Sequence, residues 1–515
     1  MKKRLPISIS EFREIREGNY IYVDKTKILY ELTQGKQYFL SRPRRFGKTL
    51  LISTLEQLFL GNKELFQDTW IATSDYQWQH YPVIRLNFSG MSHDSGKNFE
   101  HDLLGKLMRI GDDHNINLSE QQTISGRLTA LMEQLSKVNP VVILIDEYDH
   151  PLISNVAEKE LPIAQEIQRV MQSFFATVKA TEPYMRFCFL TGVSRFSKTS
   201  IFSGLNNLRD ITFNPLAADL LGYTQQELEH YFNDYVIDLA QDESASVADT
   251  YAKLKTWYNG YRFSDKTIKV YNPFSIINVL GDKKFIDYWF GSGTPGFLIK
   301  LLPNYGQELE NLATTTFDAN TLRSSFEVGK LRLDLLLYQT GYVTISNYDD
   351  DVYSLDFPNQ EVRTAFNLHL LSYLADKDIV AIGQIARQIK KALKICDLQK
   401  VFEHLQSLFA NLPYQLHNKR ESYYHSMIHT FFYTLNLSVT SEHSTSRGRS
   451  DLVLETAKYI YIFEVKLDTS PQDALDQIET QKYYEPFLQL NKKIVLVGIN
   501  FSYSDKRLEI EYKSM

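Results

Sequence analysis

Two strand-like runs near the end of the chain constrain it most. Gly448-Arg449-Ser450-Asp451-Leu452-Val453-Leu454 is followed, after the polar break Glu455-Thr456-Ala457-Lys458, by Tyr459-Ile460-Tyr461-Ile462-Phe463-Glu464-Val465-Lys466. The pattern predicts a hairpin in which a symmetric turn pairs Leu454 with Tyr459 and sets Asp451 opposite Ile462. Paired residues, and residues two apart on one strand, share a face of a sheet. Asp451, Glu464 and Lys466 are therefore expected on one face, with Asp451 diagonal to Glu464. Two carboxylates and an ammonium among apolar neighbours are costly as plain core. They make sense as a metal-dependent hydrolytic site.

The elements around this hairpin extend the reading. A helix is expected from about Glu421 to Leu435, and a strand over Ser438 to Glu442. Ser470-Pro471-Gln472-Asp473 reads as a helix start, with serine as cap, proline at the first helical position and an acid three after the cap. The last expected strand is Lys493 to Ile499. Asp451 and Glu464 would bind magnesium through oxygen, with Glu421 as a further carboxylate. Lys466 would orient water or stabilise the phosphorane, and Gln477 would contact water or substrate. For Glu421, and for His425 one turn on, a solvated helix face fits as well.

A second constellation lies near the N-terminus. The strand candidate Gln37 to Ser41 runs into Arg42-Pro43-Arg44-Arg45-Phe46-Gly47-Lys48-Thr49 and then the apolar helix Leu50 to Leu60. Strand, loop, then helix with Gly-Lys-Thr at the junction is the context of a P-loop, whose helix N-terminus offers free N–H groups to an anion. Arg45, Gly47 and Lys48 would meet the phosphates, and Thr49 would hold magnesium. The general pattern wants glycine where Arg42 stands. Arg42, Arg44 and Arg45 could contact phosphate or another segment, form a solvated basic turn, or meet nucleic acid. Val141 to Ile145 is an apolar strand ending in Asp146-Glu147. Asp146 would support the magnesium, and Glu147 would polarise the attacking water. A third strand, Arg186 to Thr191, ends in Thr191-Gly192-Val193-Ser194-Arg195. Thr191 would sense the terminal phosphate. Arg195 or Arg209 would supply positive charge, within the chain or from a neighbour in a homo-oligomer.

Composition narrows the class. The 515 residues suffice for two to four domains. A formal net charge of −6 argues against a generally basic coat for nucleic acid and leaves a local basic cleft open. The two cysteines, Cys188 and Cys396, give no disulfide framework, and no apolar run is long enough to span a membrane. A cytoplasmic location is expected. Residues 1–215 alternate strand and helix patterns, with Tyr81 to Phe88 as another strand. Residues 216–300 read as mainly helical, a lid or winged-helix-like region with breaks at Trp257-Tyr258-Asn259-Gly260-Tyr261 and Tyr271-Asn272-Pro273. Residues 301–415 are mixed, with a strand at Gly341 to Ile345 and a helix after Asn359. Residues 416–515 form a second α/β unit.

With these residues assembled, the chain resembles bacterial proteins that join an AAA-ATPase-like P-loop domain to a C-terminal PD-(D/E)xK nuclease-superfamily domain. The carrying segments are Tyr22-Val23-Asp24-Lys25-Thr26, Ser41 to Thr49, Leu144-Ile145-Asp146-Glu147-Tyr148-Asp149, Thr191 to Phe196, Trp257 to Tyr261, Gly448 to Asp451 and Phe463 to Lys466. Arg-Pro-Arg-Arg-Phe-Gly-Lys looks like this family's own form of the P-loop. Ser450-Asp451 stands where the superfamily name expects Pro-Asp. The resemblance implies an AAA/STAND-like P-loop fold, a restriction-endonuclease-like α/β fold and ATP binding. The expected function is an ATP-binding protein that cleaves nucleic acid, DNA ahead of RNA, with magnesium, its cleavage gated by nucleotide. The rivals are a non-catalytic ATP switch and a remodelling ATPase whose nuclease-like domain only binds nucleic acid or a protein.

Overall fold

The computed structural model describes residues 2–196, 201–202, 205, 207–289, 316–329, 332–374, 377–409, 428, 431–432, 434–435, 437–445, 448–505 and 507–515; of residues 438–449 it describes the backbone. The chain forms two compact units, Met1–Asn359 and Gln360–Met515. Among the described residues no helix is long and apolar enough to cross a membrane.

The first unit is built on a parallel sheet of β1 (Gln37–Ser41), β2 (Val83–Asn87), β3 (Val141–Asp146), β4 (Met185–Gly192) and β5 (Arg209–Asp210), in the order β2-β3-β4-β1-β5. β1 and β3 are buried along their whole length. That explains their unbroken apolar runs, since a parallel sheet is covered on both faces. α1 (Lys48–Phe59) packs against β3, and α2 (Gly96–Asp113), α3 (Ile124–Ser136) and α4 (Leu161–Ala180) pack on one another. All strands point the same way, so Ser41, Asp146 and Gly192 finish at one end of the sheet, where ligand sites of open α/β sheets form.

The middle of this unit is helical. α5 (Gln225–Asp242) begins with a capping box between Thr224 and Glu227. α6 (Val247–Tyr258) is capped by Ser246, and α7 (Pro273–Asp282) by Asn272 with proline at its start. Phe232, Val236, Leu254, Tyr271 and Ile276 share a core with Ile21 and Val23 from the N-terminal segment. Gly260 sits at φ 113°, where a Cβ would collide with the Pro358 carbonyl. The Gly341 to Ile345 strand begins later than its sequence suggests. Gly341, at φ 92°, ends α8 (Leu333–Thr340) in the left-handed conformation. Strand geometry starts at Thr344, in the antiparallel sheet of β6 (Thr316–Asp318), β7 (Thr344–Asp349) and β8 (Val352–Asp356).

The second unit runs α9 (Gln360–Leu374), α10 (Ile379–Ile395), α11 (Leu398–Phe409), β9 (Ser438–Thr445), β10 (Gly448–Glu455), β11 (Tyr459–Leu467), α12 (Pro471–Gln481), β12 (Lys493–Ser502) and β13 (Arg507–Ser514). The sheet order is β13-β12-β11-β10-β9, with only β11 and β12 parallel. The strand expected to be last is thus followed by β13, a second edge. Alternation sorts the hairpin. Leu452, Leu454, Tyr461, Phe463 and Val465 face a core shared with Ile389 and Leu393 of α10 and Leu405 of α11. Val453, Ile460 and Ile462 face Leu475 and Ile478 of α12. The Ser470 cap is present as a capping box with Asp473.

Candidate active sites

The P-loop turns at Gly47, whose φ of 88° delivers the chain into α1. Lys48 is buried, and its Nζ donates to the Arg42 carbonyl at 3.0 Å and the Pro43 carbonyl at 2.9 Å. Burial pushes its pKa down, while Glu147, Asp146 and Asp149 oppose that shift. Thr49 Oγ1 donates to Asp146 Oδ2 at 2.7 Å. β4 lies between β1 and β3, so this bond spans the tip of the intervening strand. Gly192 lets Tyr148 and Asp149 pack against the tip of β4, because a Cβ there would collide with the Asp149 carboxylate and the Tyr148 ring. Burial raises the Asp146 pKa, and its Oδ1 has no hydrogen-bond partner among the described residues. A hydroxyl and a carboxylate with one unmatched oxygen are hard donors, which fits magnesium. Thr191 Oγ1 is enclosed and equally unmatched at the tip of β4. Glu147, at φ 50°, occupies a left-handed conformation that non-glycine residues rarely take and that recurs at functional sites.

Of these groups Gly47, Lys48, Thr49 and Glu147 line a cavity of about 640 Å³; Asp146 and Thr191 lie behind its wall. Its polar end is Arg44 to Thr49 with Glu147, and its apolar end includes Ile9, Ile21, Phe274 and Ile277. An apolar slot leading to an anion cradle suits a nucleotide. Arg45 takes a left-handed φ of 66° and stacks its guanidinium over Phe274 at 4.7 Å.

Two arginines go elsewhere. Arg42 is 1% exposed and donates to the carbonyls of Ser41 and Thr212, both at 2.8 Å, and Ala217 at 2.6 Å, over the Phe263 ring. Burial lowers its pKa to about 10. It pins the loop to neighbouring segments and is turned away from phosphate. Arg195 is held by Asp210, with Nη2 to Oδ2 at 2.6 Å, and by the Arg323 carbonyl at 2.7 Å. It does not line the cavity, and neither does Arg209. The expectation that Arg195 meets the nucleotide is therefore corrected: its charge is neutralised within its own fold.

Two residues beside the Asp-Glu pair carry more than the sequence suggested. Asp149 is buried and accepts from the Val193 N–H at 3.1 Å and the Ser194 N–H at 2.6 Å. Tyr148 Oη donates to the Ser194 carbonyl and accepts from the Phe196 N–H. Together they fix the segment after β4 against the end of β3. The repeated acid in Asp146-Glu147-Tyr148-Asp149 was the available signal.

The C-terminal hairpin closes more tightly than its pattern implies. Thr456 and Tyr459 exchange bonds across the tip, and Leu454 pairs with Tyr461 rather than Tyr459. The register slides by two residues. Continued from Leu452 opposite Phe463, it brings Asp451 level with Glu464 instead of Ile462. A slip of two preserves every face, so Asp451, Glu464 and Lys466 still share one. Asp451 Oδ2 accepts from the Val465 N–H at 2.8 Å, and the Asp451 N–H points to Glu464 Oε2 at 3.4 Å. Lys466 Nζ lies 3.3 Å from Glu464 Oε1.

Glu464 is 2% exposed. Burial, then the charge of Asp451, raises its pKa to about 7, against the pull of Lys466. A carboxylate pair with one ammonium carries excess negative charge in a dry place, and a divalent cation relieves it. Among the described residues no group of three or more histidine, cysteine or acidic side chains forms a metal cluster. Magnesium, which keeps several waters, needs only one or two carboxylates. Glu421 and His425 lie outside the described residues. Gln477, on α12, donates to Tyr483 Oη at 3.4 Å.

A parallel α/β sheet with a P-loop, and an α/β unit whose hairpin gathers two acids and a lysine, define a nucleotide-binding protein with a nuclease-type domain. The chain belongs to the family of AAA-ATPase-like proteins that carry a PD-(D/E)XK nuclease-superfamily domain: residues 6–202 match the family described as "Predicted AAA-ATPase" and residues 419–511 the "PD-(D/E)XK nuclease superfamily". It is 34% identical over 529 residues to "Uncharacterized protein in vnfD 5'region" of Azotobacter chroococcum mcd 1, covering 97% of each chain. Among solved structures it is similar to the Walker-type ATPase paby2304 of Pyrococcus abyssi, at 12% identity and a TM-score of 0.33, over 71% of this chain and 97% of that one. At that score the likeness carries no weight.

Proposed function

We propose that this protein binds magnesium–ATP in its first unit and cleaves nucleic acid, DNA ahead of RNA, in its second. The observation that carries the reading is the convergence of Asp451 and Glu464, with Lys466 at 3.3 Å, on one buried face of the hairpin. At either site a bound magnesium ion would neutralise phosphate charge and acidify a water. Residues of the chain do the rest. Asp451 and Glu464 orient their oxygens toward a common point, Asp451 being fixed by the Val465 N–H. Lys466 places positive charge against the phosphorane, and Gln477 meets water or substrate backbone. In the first unit Lys48 turns from the loop carbonyls to the β- and γ-phosphates, Thr49 and Asp146 hold the ion, and Glu147 takes a proton from water. Thr191 reads the terminal phosphate. The nucleotide site falls in residues 1–215, with 216–300 as a lid or winged-helix-like region, and the cutting domain in residues 416–515, backed by the helices of residues 360–409. Nucleotide gates cleavage, a coupling motivated by the presence of both sites in one cytoplasmic chain.

The test is cleavage of single-stranded, duplex and branched DNA and of RNA by the full chain with magnesium, with and without ATP. Products should vanish in Asp451→Ala. In Lys48→Ala, ATP binding should fall and cleavage should lose its response to ATP. Cleavage that persists in Asp451→Ala rejects the site, and an ATP response that survives in Lys48→Ala rejects the gating.

A further inference from the structure

His150 lies on the wall of the nucleotide cavity, one short turn after Glu147, where the His150 N–H meets the Glu147 carbonyl at 3.1 Å. Its ring packs edge-on against His93, with centroids 5.6 Å apart. Nδ1 is enclosed and has no hydrogen-bond partner among the described residues; Nε2 is not enclosed. The nitrogen open to the cavity is therefore Nε2. A buried N–H without an acceptor is rarer than an acceptor without a donor, so the single proton of the neutral ring belongs on Nε2. The ring is held neutral: burial lowers its pKa, and Arg44 and His93 add to that against the opposing charge of Glu147. His150 thus offers the cavity one uncharged donor, on the wall that Glu147 shares with Lys48 and Thr49.

We propose that His150 donates Nε2–H to a terminal phosphate oxygen of the bound nucleoside triphosphate and so distinguishes it from the diphosphate. This rests on the nucleotide reading above. A neutral donor suits the position, since Lys48 and magnesium already bring positive charge and the ring adds direction without a further desolvated cation. His150 follows Glu147 by one turn and lines the same cavity, and Glu147 is the group placed against the water that attacks the last phosphate.

The experiment is calorimetric titration of the full chain with magnesium–ATP and magnesium–ADP, in wild type, His150→Ala, His150→Phe and His150→Gln. The ratio of ATP to ADP affinity should fall about tenfold in His150→Ala and His150→Phe while ADP affinity holds. His150→Gln, whose side-chain N–H reaches the same region, should restore the ratio to within about threefold of wild type. Unchanged ADP binding certifies the fold of each variant. If His150→Ala does not fold, the flat ring of His150→Phe decides alone. Wild-type nucleotide binding with an unaltered ratio in His150→Phe overturns the proposal. Wild-type protein that binds neither nucleotide overturns it together with the nucleotide reading.

Discussion

The two candidate sites gather an excess of acid over lysine by different routes. In the first unit three acids, Asp146, Glu147 and Asp149, surround one buried cation, Lys48, and Thr49 occupies one oxygen of Asp146. In the second unit two carboxylates share a dry face with one lysine, and Glu464 rises to about pKa 7. The first is assembled from strand tips far apart in sequence, and the second from a single hairpin. A site in excess negative charge favours a proton or a metal, and its protonation should fall as metal is supplied.

The largest effect that would break this contrast is at Lys466. Lys466→Met removes the charge next to the scissile phosphate but no metal-ligating oxygen. Cleavage should fall roughly 10²- to 10³-fold while manganese binding persists. Loss of metal binding together with cleavage would mean that Lys466 holds the acids in place rather than acting on the phosphate.

Arg42 sharpens the comparison from the other side. Arg42→Gly restores the general P-loop pattern and strips three buried carbonyls of their donor. Thermal or denaturant unfolding should show a loss of about 3 kcal/mol from the first unit. A variant as stable as wild type with weaker ATP binding would return Arg42 to the phosphates.

A smaller effect concerns pH. The folded-state pKa of Glu464 lies above its ordinary 4.5, so the folded protein keeps a proton that the unfolded chain releases. The metal-free protein should be most stable below about pH 4.5 with respect to this group. That contribution, on the order of 3 kcal/mol, fades as pH rises through about 7. Glu464→Gln should flatten the dependence, as read from unfolding midpoints between pH 5 and 8 on the approximate scale of these shifts. Equal slopes in both proteins would mean that Glu464 titrates in the ordinary carboxylate range.

Much of this was legible in the chain because the signals are local. Gly47-Lys48-Thr49 after a buried strand, the acids ending β3 and the alternation of the hairpin each lie within a few residues. The hairpin register was missed because Thr456 Oγ1 bonds to Tyr459 across the tip, a contact that apolar patterning does not encode. The faces survived because the slip was even. The fate of Arg42 and Arg195 was hidden because their partners, Thr212 and Ala217 for one, Asp210 and Arg323 for the other, meet them only in the folded unit. β13 was missed although Leu508, Ile510 and Tyr512 alternate with Glu509, Glu511 and Lys513, the period of a strand with one covered face.

The most direct test is manganese binding, followed by electron paramagnetic resonance, in a full chain carrying Asp146→Asn to weaken the nucleotide site's own ion. This chain should bind manganese, and adding Asp451→Asn with Glu464→Gln should abolish that binding. Equal manganese binding with and without the two substitutions would contradict the assignment of Asp451 and Glu464 as a metal-holding pair.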